Sequence, residues 1–327
     1  MRRFVVPAAL LLTLAACGGE PGSESAAAPP ASGAASAAPS NNSGVNTSPD
    51  QQRIRAQKID AIAAQVPPAV AADGKLLVGH SGEGAPPLGF LADDDTTYIG
   101  VETDLAQLVA DVLGLEYASE ISSWENLFVG AKSSKLEAVF NNVTVTEERK
   151  DIYDFATYRV DQLAWQTAAS SPITAIAKPA DIAGLKVSVG SGTNQEKILL
   201  DWDKANKDAG LKPAEISYYN LYGDALLALK SGRIQAYFGP NPSVAYNVAV
   251  SKDTKIVGTA SGAGPDLQGL IAAMTLKDNG LVKPLNEALN SVIKDGSYQK
   301  VLDRWGLGNE AIPESQINPP GLPRQES

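Results

Sequence analysis

The sequence predicts a mixed α/β protein built on two open, mostly parallel sheets. Three observations carry this. Short apolar runs with strand character alternate with stretches of helical spacing. The chain has 327 residues, enough for two domains of roughly 150 each. No segment of about 20–50 residues repeats, which excludes a solenoid or propeller.

The elements follow in order. Residues 1–16 read as a signal peptide: Arg2 and Arg3 supply a positive start, and Phe4 to Leu14 form an apolar stretch. About 11 apolar-rich residues are too few to cross a bilayer core of about 30 Å. The stretch ends Leu14-Ala15-Ala16-Cys17-Gly18, which resembles a bacterial lipobox. That resemblance implies cleavage before Cys17 and lipidation of its thiol, a membrane anchor. Residues 17–50 are rich in Ala, Pro, Ser and Gly and bury too little apolar surface to fold, so they read as a disordered tether. Such a tether of about 30 residues has a root-mean-square reach of roughly 30 Å.

Residues 51–74 read as a lead-in helix, from the spacing of Ile54, Ile59, Ile62, Ala63 and Val66 before Pro67-Pro68. Lys75–Gly79 reads as a buried strand. Leu105, Leu108, Val109 and Val112 follow helical spacing, with Gly114 as the expected C-cap. Further strands are expected at 136–140, 163–167, 185–189, 234–238 and 270–274, and helices at 224–230, 281–293 and 298–305. Residues 313–327, with Pro319-Pro320-Gly321-Leu322-Pro323, read as a flexible tail.

Composition narrows the function. Hydrophobic residues make up 44% and charged residues 20%, ordinary for a globular protein. The 27 Lys and Arg against 37 Asp and Glu leave a net charge of −10, without a basic block, which argues against nucleic acid as a partner. One Cys excludes a disulfide framework and a Cys-based zinc site, and no other metal or cofactor motif is present. The sole His80, beside a glycine loop, reads as a polar loop residue. No Ser/His/Asp spacing or His-Glu-x-x-His motif points to catalysis.

Four segments carry a more specific signal: Gly100-Val101-Glu102-Thr103-Asp104-Leu105-Ala106; Trp124 with Glu137 to Arg149 and Asp154-Phe155-Ala156; Leu185 to Glu196; and Asp295-Gly296-Ser297-Tyr298 up to Trp305. Together and in this order they resemble the solute-binding proteins of polar amino-acid ABC importers, the bacterial extracellular solute-binding family 3. The resemblance implies a two-lobe fold of the periplasmic-binding-protein type II, with a ligand cleft between the lobes. Lobe one would comprise 75–166 and 263–312, and lobe two 167–262, with hinge crossings at 164–170 and 258–264.

The candidate site residues are Trp124, Asn141, Asn142, Thr144, Arg149, Gly192, Thr193, Asn194 and Asn241. Arg149 follows a helix-start pattern, and its planar fork of donors suits a carboxylate; the competing role is a surface ion pair with an acidic neighbour. Gly190-Ser191-Gly192-Thr193-Asn194 lies between a strand and a helix, where backbone amides and the helix dipole favour an anion. Thr193 also reads as a helix N-cap. Asn141, Asn142 and Thr144 follow a strand's C-terminal end, the binding edge of open α/β sheets. The resemblance places Thr193 and Asn194 against a ligand carboxylate facing Arg149, and Trp124 against the ligand side chain.

One departure stands out. Gly232-Arg233-Ile234-Gln235-Ala236-Tyr237-Phe238-Gly239-Pro240-Asn241 has Pro240 where the family's ammonium-binding Asp is expected. An ammonium buried without an anion is costly. Either another acid, with Glu83 as candidate, takes that role, or the ligand is not an ordinary α-amino acid. Ala85 also replaces a frequent aromatic, which reduces the stacking surface for a cationic side chain.

The leading expectation is therefore a lipid-anchored, extracytoplasmic receptor of the bacterial envelope, monomeric, that closes on a small carboxylate-bearing solute and delivers it to an ABC permease. The alternatives are a dehydratase-like enzyme on the same fold and a ligand-sensing subunit of a membrane signalling partner.

Overall fold

Residues 44–324 are described by the computed structural model of the chain. The expectations for the signal peptide, for Cys17 and for most of the tether fall outside the described residues.

The strands are β1 (Lys75–Ser81), β2 (Phe90–Leu91), β3 (Tyr98–Ile99), β4 (Glu116–Ser122), β5 (Ala138–Val139), β6 (Tyr153–Ala168), β7 (Lys186–Val189), β8 (Glu215–Tyr218), β9 (Ala236–Pro240), β10 (Thr254–Ser261) and β11 (Gly269–Leu276). The helices are α1 (Asp60–Ala63), α2 (Pro68–Ala71), α3 (Val101–Leu113), α4 (Trp124–Lys132), α5 (Asn194–Asp208), α6 (Tyr222–Lys230), α7 (Asn241–Ser251), α8 (Val282–Asp295) and α9 (Ser297–Arg304).

One long strand organises the sheet. The order is β4-β1-β5-β11-β6-β9-β7-β8, with β10 also paired to β6. The N-terminal half of β6 pairs with β11 up to Asp161, and the C-terminal half pairs with β10 from Gln162 and with β9. β6 thus belongs to two half-sheets. In each half the outer strands are parallel, β4, β1 and β5 on one side and β8, β7 and β9 on the other. The strands around β6 are antiparallel.

Helices cover both faces of each half. In the first, α3, α8 and α9 bury Leu105, Leu108, Leu285, Leu289 and Val301 on one face, and α4 buries Leu127 and Ala131 on the other. In the second, α5 contributes Ile198 and Leu199 to a core around Trp165 and Phe238, and α6 packs Ala225 and Leu229 opposite. α3 ends at Gly114, as its spacing predicts.

Four expectations need correction. The lead-in segment is mostly extended rather than helical, with only the single turns α1 and α2. Its backbone is held by α3: Ile59 N–H donates to Val112 O at 3.0 Å, and Arg55 forks onto Asp111 at 2.7 and 2.5 Å. The end of the expected tether is also placed, with Val45 buried and Thr47 bonded to Asp93 at 2.9 Å. The C-terminal segment, expected to be loose, docks as far as Arg324. β6 leaves an edge open near Ala156, and the chain fills it: Thr157 N–H donates to Gln316 O and Asn318 N–H to Phe155 O, both at 3.0 Å. Leu322 then bonds Val145 and buries its side chain in the core of the second half.

His80 is likewise not a loop residue. It lies in β1, fully buried, with Nε2 2.8 Å from the Tyr117 hydroxyl, and burial pushes its pKa down to about 3. Its imidazole is neutral at physiological pH.

Candidate functional site

The loops after β1, β5, β7, β8 and β9 converge where the two half-sheets meet, the C-terminal strand ends at which open α/β sheets bind ligands. They enclose a cleft of about 910 Å³, part of it open to solvent. Of the sequence-predicted site residues, Trp124, Asn141, Asn142, Thr193 and Asn194 are on its wall; Thr144, Arg149, Gly192 and Asn241 are not. Pro240, one position before Asn241, lines the cleft with Ser243 of α7.

Arg149 opens a short 3-10 turn, Arg149–Asp151, whose first N–H is held by the Thr146 hydroxyl at 3.1 Å. Its guanidinium donates from Nη1 to Thr144 O at 2.8 Å and from Nη2 to Gly192 O at 3.2 Å. One side chain therefore ties the first half to the β7–α5 turn of the second. It packs over the rings of Trp124 and Phe128, 5.4 and 5.1 Å from their centres. Burial pushes its pKa down to about 10, so it stays charged at neutral pH. The ion pair with an acidic neighbour does not form; Glu148 instead pairs with Lys197 at 2.7 Å.

Thr193 is the N-cap of α5: its hydroxyl accepts from Glu196 N–H at 3.2 Å and donates to Gly190 O at 2.7 Å. Gly192 has φ 70°, a conformation that favours glycine. Its N–H is taken by the Glu196 carboxylate at 2.7 Å, while its carbonyl accepts from Arg149 and from Trp124 Nε1 at 3.3 Å. The turn thus presents a carbonyl to Arg149, in one of the positions a carboxylate oxygen would take.

The asparagines are fixed by what lies behind them. Asn141 Oδ1 accepts from Ser81 N–H at 2.7 Å, which locks the loop after β5 to the end of β1. Asn142 accepts from Arg159. Arg159, 1% exposed on its side chain, is also paired with Glu102 and Glu310, and these carboxylates outweigh burial and hold its pKa up. Asn194 turns its amide inward, to Asp161 Oδ2 at 3.0 Å and Gly262 O at 2.9 Å. Thr144 donates to the same Asp161 oxygen at 2.7 Å.

Several site residues were not singled out from the sequence. Tyr219 and Asn220 follow β8, and Tyr222 and Tyr237 stand 5.2 Å apart, ring to ring, on the second half. They supply the aromatic surface that Ala85 does not. Glu83 and Glu125 make the wall acidic, Glu102 being buried and paired with Arg159, and among the described residues no Lys or Arg lies on it. Glu83 lies at the start of α4, its Oε2 accepting from Trp124 N–H at 3.2 Å. Position after a strand's C-terminal end was the available signal for Tyr219; Asp161 had none, since it lies within a strand. Among the described residues no three His, Cys, Asp or Glu side chains gather as a metal-ligand set.

Comparisons with known proteins bear on the family and the fold. Residues 76–308 match the model of the bacterial extracellular solute-binding proteins, family 3. The L-cystine-binding protein TcyJ of Escherichia coli (strain K12) is 30% identical over 233 residues, 71% of this chain and 82% of that one. The arginine-binding protein ArgT of Corynebacterium glutamicum is 28% identical over 271 residues, 82% and 86% of the two chains. Among solved structures, an ancestral arginine-binding protein bound to arginine superposes with a TM-score of 0.61 at 29% identity, covering 71% of this chain and 98% of that one.

Proposed function

The chain belongs to the bacterial extracellular solute-binding proteins, family 3, and from that premise we propose that it captures an α-amino acid with a polar or cationic side chain and hands it to an ABC permease. One observation carries the reading: a single guanidinium, Arg149, reaches both halves and packs on Trp124, a residue of the cleft wall. A ligand carboxylate would take the place of the Gly192 carbonyl on that fork and face the N-terminus of α5. Closure then follows from contacts made by one ligand with both halves. The acidic wall and its tyrosines suit a polar or positively charged side chain. The cystine- and arginine-binding relatives are in keeping with that chemistry.

The chain works outside the cytoplasm in this reading, held to the membrane by a lipid on Cys17, as a monomeric binding protein rather than an enzyme. Among the described residues no helix is long and apolar enough to cross a membrane.

A thermal-shift panel of amino acids, their derivatives and small organic acids tests the binding role. A ligand at a hundred times its Kd adds about 2.7 kcal/mol of stability, which raises Tm by about 5–10 °C in a protein of this size. Arg149→Ala is expected to abolish the shift, measured from a lower unliganded Tm because the tie between the halves is lost. Normal binding by that variant would remove Arg149 from the site. Turnover of a bound ligand would make the protein an enzyme.

A further inference from the structure

Asp161 is a carboxylate without a counter-charge in direct contact. It lies on β6 where the strand changes partners, 1% exposed, and among the described residues no cationic side chain forms an ion pair with it. Its Oδ2 accepts from two neutral donors, Thr144 Oγ1 at 2.7 Å and Asn194 Nδ2 at 3.0 Å. Its Oδ1 accepts no hydrogen bond from the described residues. Burying an ionised carboxylate on such terms is costly, and burial pushes its pKa up to about 6.

The surroundings show what would repay that cost. Thr144 touches both charges, behind Asn194 of the cleft wall: its carbonyl accepts from Arg149 at 2.8 Å, and its hydroxyl donates to Asp161. A cation and an anion are thus held on either side of one residue, each in the electrostatic field of the other. The ammonium and carboxylate groups of an α-amino acid form a dipole of this kind on a single carbon. The two donors on Asp161 belong to different halves, Thr144 to the first and Asn194 to the second. Separating the halves would uncover the carboxylate from one side. Gly262 keeps the space beside it, since a Cβ there would overlap Oδ2.

We infer that Asp161 binds the ligand's ammonium group, in place of an acid at Pro240, with Arg149 taking the carboxylate. The inference rests on the amino-acid reading above. The ammonium replaces the Asn194 amide on Oδ2 and engages Oδ1, and Asn194 closes behind it. Glu83, the acid singled out from the sequence, faces the cleft at the start of α4 and is left for the ligand's side chain.

The test uses the mature protein and isothermal titration with the twenty common L-amino acids and L-cystine, each binder being paired with its 2-hydroxy acid. Asp161→Asn keeps the shape and both hydrogen bonds but removes the charge. It is expected to weaken amino-acid binding by about a hundredfold, and to change 2-hydroxy acid binding by less than about threefold. Equal losses for both ligands would make Asp161 a structural latch and overturn the inference. Unchanged amino-acid binding would overturn it while leaving the family reading intact. If the wild-type protein binds none of the panel, the amino-acid reading falls, and this inference with it. A second measurement needs no variant: wild-type affinity for the amino acid is expected to fall from pH 7.5 to pH 5 while that for the hydroxy acid holds. The charged groups facing Asp161 are Arg159 and Arg149, and Glu310; both arginines stay charged across that range. A flat amino-acid profile would overturn the inference.

Discussion

Asp161 and Arg159 lie two positions apart on one strand, both buried, and the difference between them is partners. Arg159 has Glu102 and Glu310 in contact; Asp161 has hydroxyl and amide donors only. The consequence for Asp161 is a stability that depends on pH. Its carboxyl titrates near 3.8 when unfolded and near 6 in the fold. Between those values the native state keeps a proton that the unfolded state has lost, so stability falls as pH rises through the window and levels off above it. Asp161→Asn removes this loss. The unliganded variant is expected to be more stable than wild type at pH 7.5, by at most about 3 kcal/mol, with the gap closing toward pH 4. Thermal melts across that range check it, and a variant less stable at pH 7.5 would refute the assignment. At this scale the Thr193 cap was legible, because it depends on residues close in sequence; Arg149 and Trp124 were singled out by the resemblance, and the Gly192 carbonyl they share lies 43 and 68 positions away. Asp161 was not legible, since its partners Thr144, Asn194 and Gly262 come from three distant segments.

Elements with a regular apolar pattern and local signals were readable: α3 with Gly114, α8, α9, β1 and β11. The first half of β6 was not. Its buried positions include Asp154, Thr157, Arg159 and Asp161, polar residues paired through contacts that no local pattern encodes. β4 was missed for a different reason: most of it is half-exposed or exposed, which blurs the apolar pattern. The C-terminal segment is the plainest case. Its prolines and glycine read as a loose end, yet its backbone completes the open edge of β6 and Leu322 enters a core. Leu322→Ala is expected to cost about 2–4 kcal/mol, as for other buried leucines. Chemical denaturation measures this, and a change below about 0.5 kcal/mol would return the segment to the status of a tail.

Across the whole molecule the two halves share β6, meet where Leu322 passes from Val145 of the first half into the core of the second, and are tied by polar contacts over the cleft. Trp124 and Arg149 reach Gly192, Ser243 Oγ donates to Ala85 O at 3.2 Å, and Lys197 pairs with Glu148. Ties of this kind contribute about 0.5–1.5 kcal/mol each at most. Few of them hold the halves together, so a ligand that contacts both halves has the leverage to shift the balance between open and closed forms. Solution X-ray scattering is expected to give a larger radius of gyration without ligand than with a saturating one. Identical curves would mean that the cleft does not open by movement of the halves.

The sequence by itself determined the α/β class, the family, the acidic character, and the segments that carry the cleft. These rest on composition, on local periodicity and on short motifs, all of which act over a few residues. Only the tertiary structure decided where β6 passes from one half to the other, that the C-terminal segment is part of the fold, and that Arg149 and Asp161 flank Thr144. Those facts depend on which distant groups are brought into a low-dielectric interior together. There the energy of a charge is set by its neighbours in space, and chain order carries no record of them.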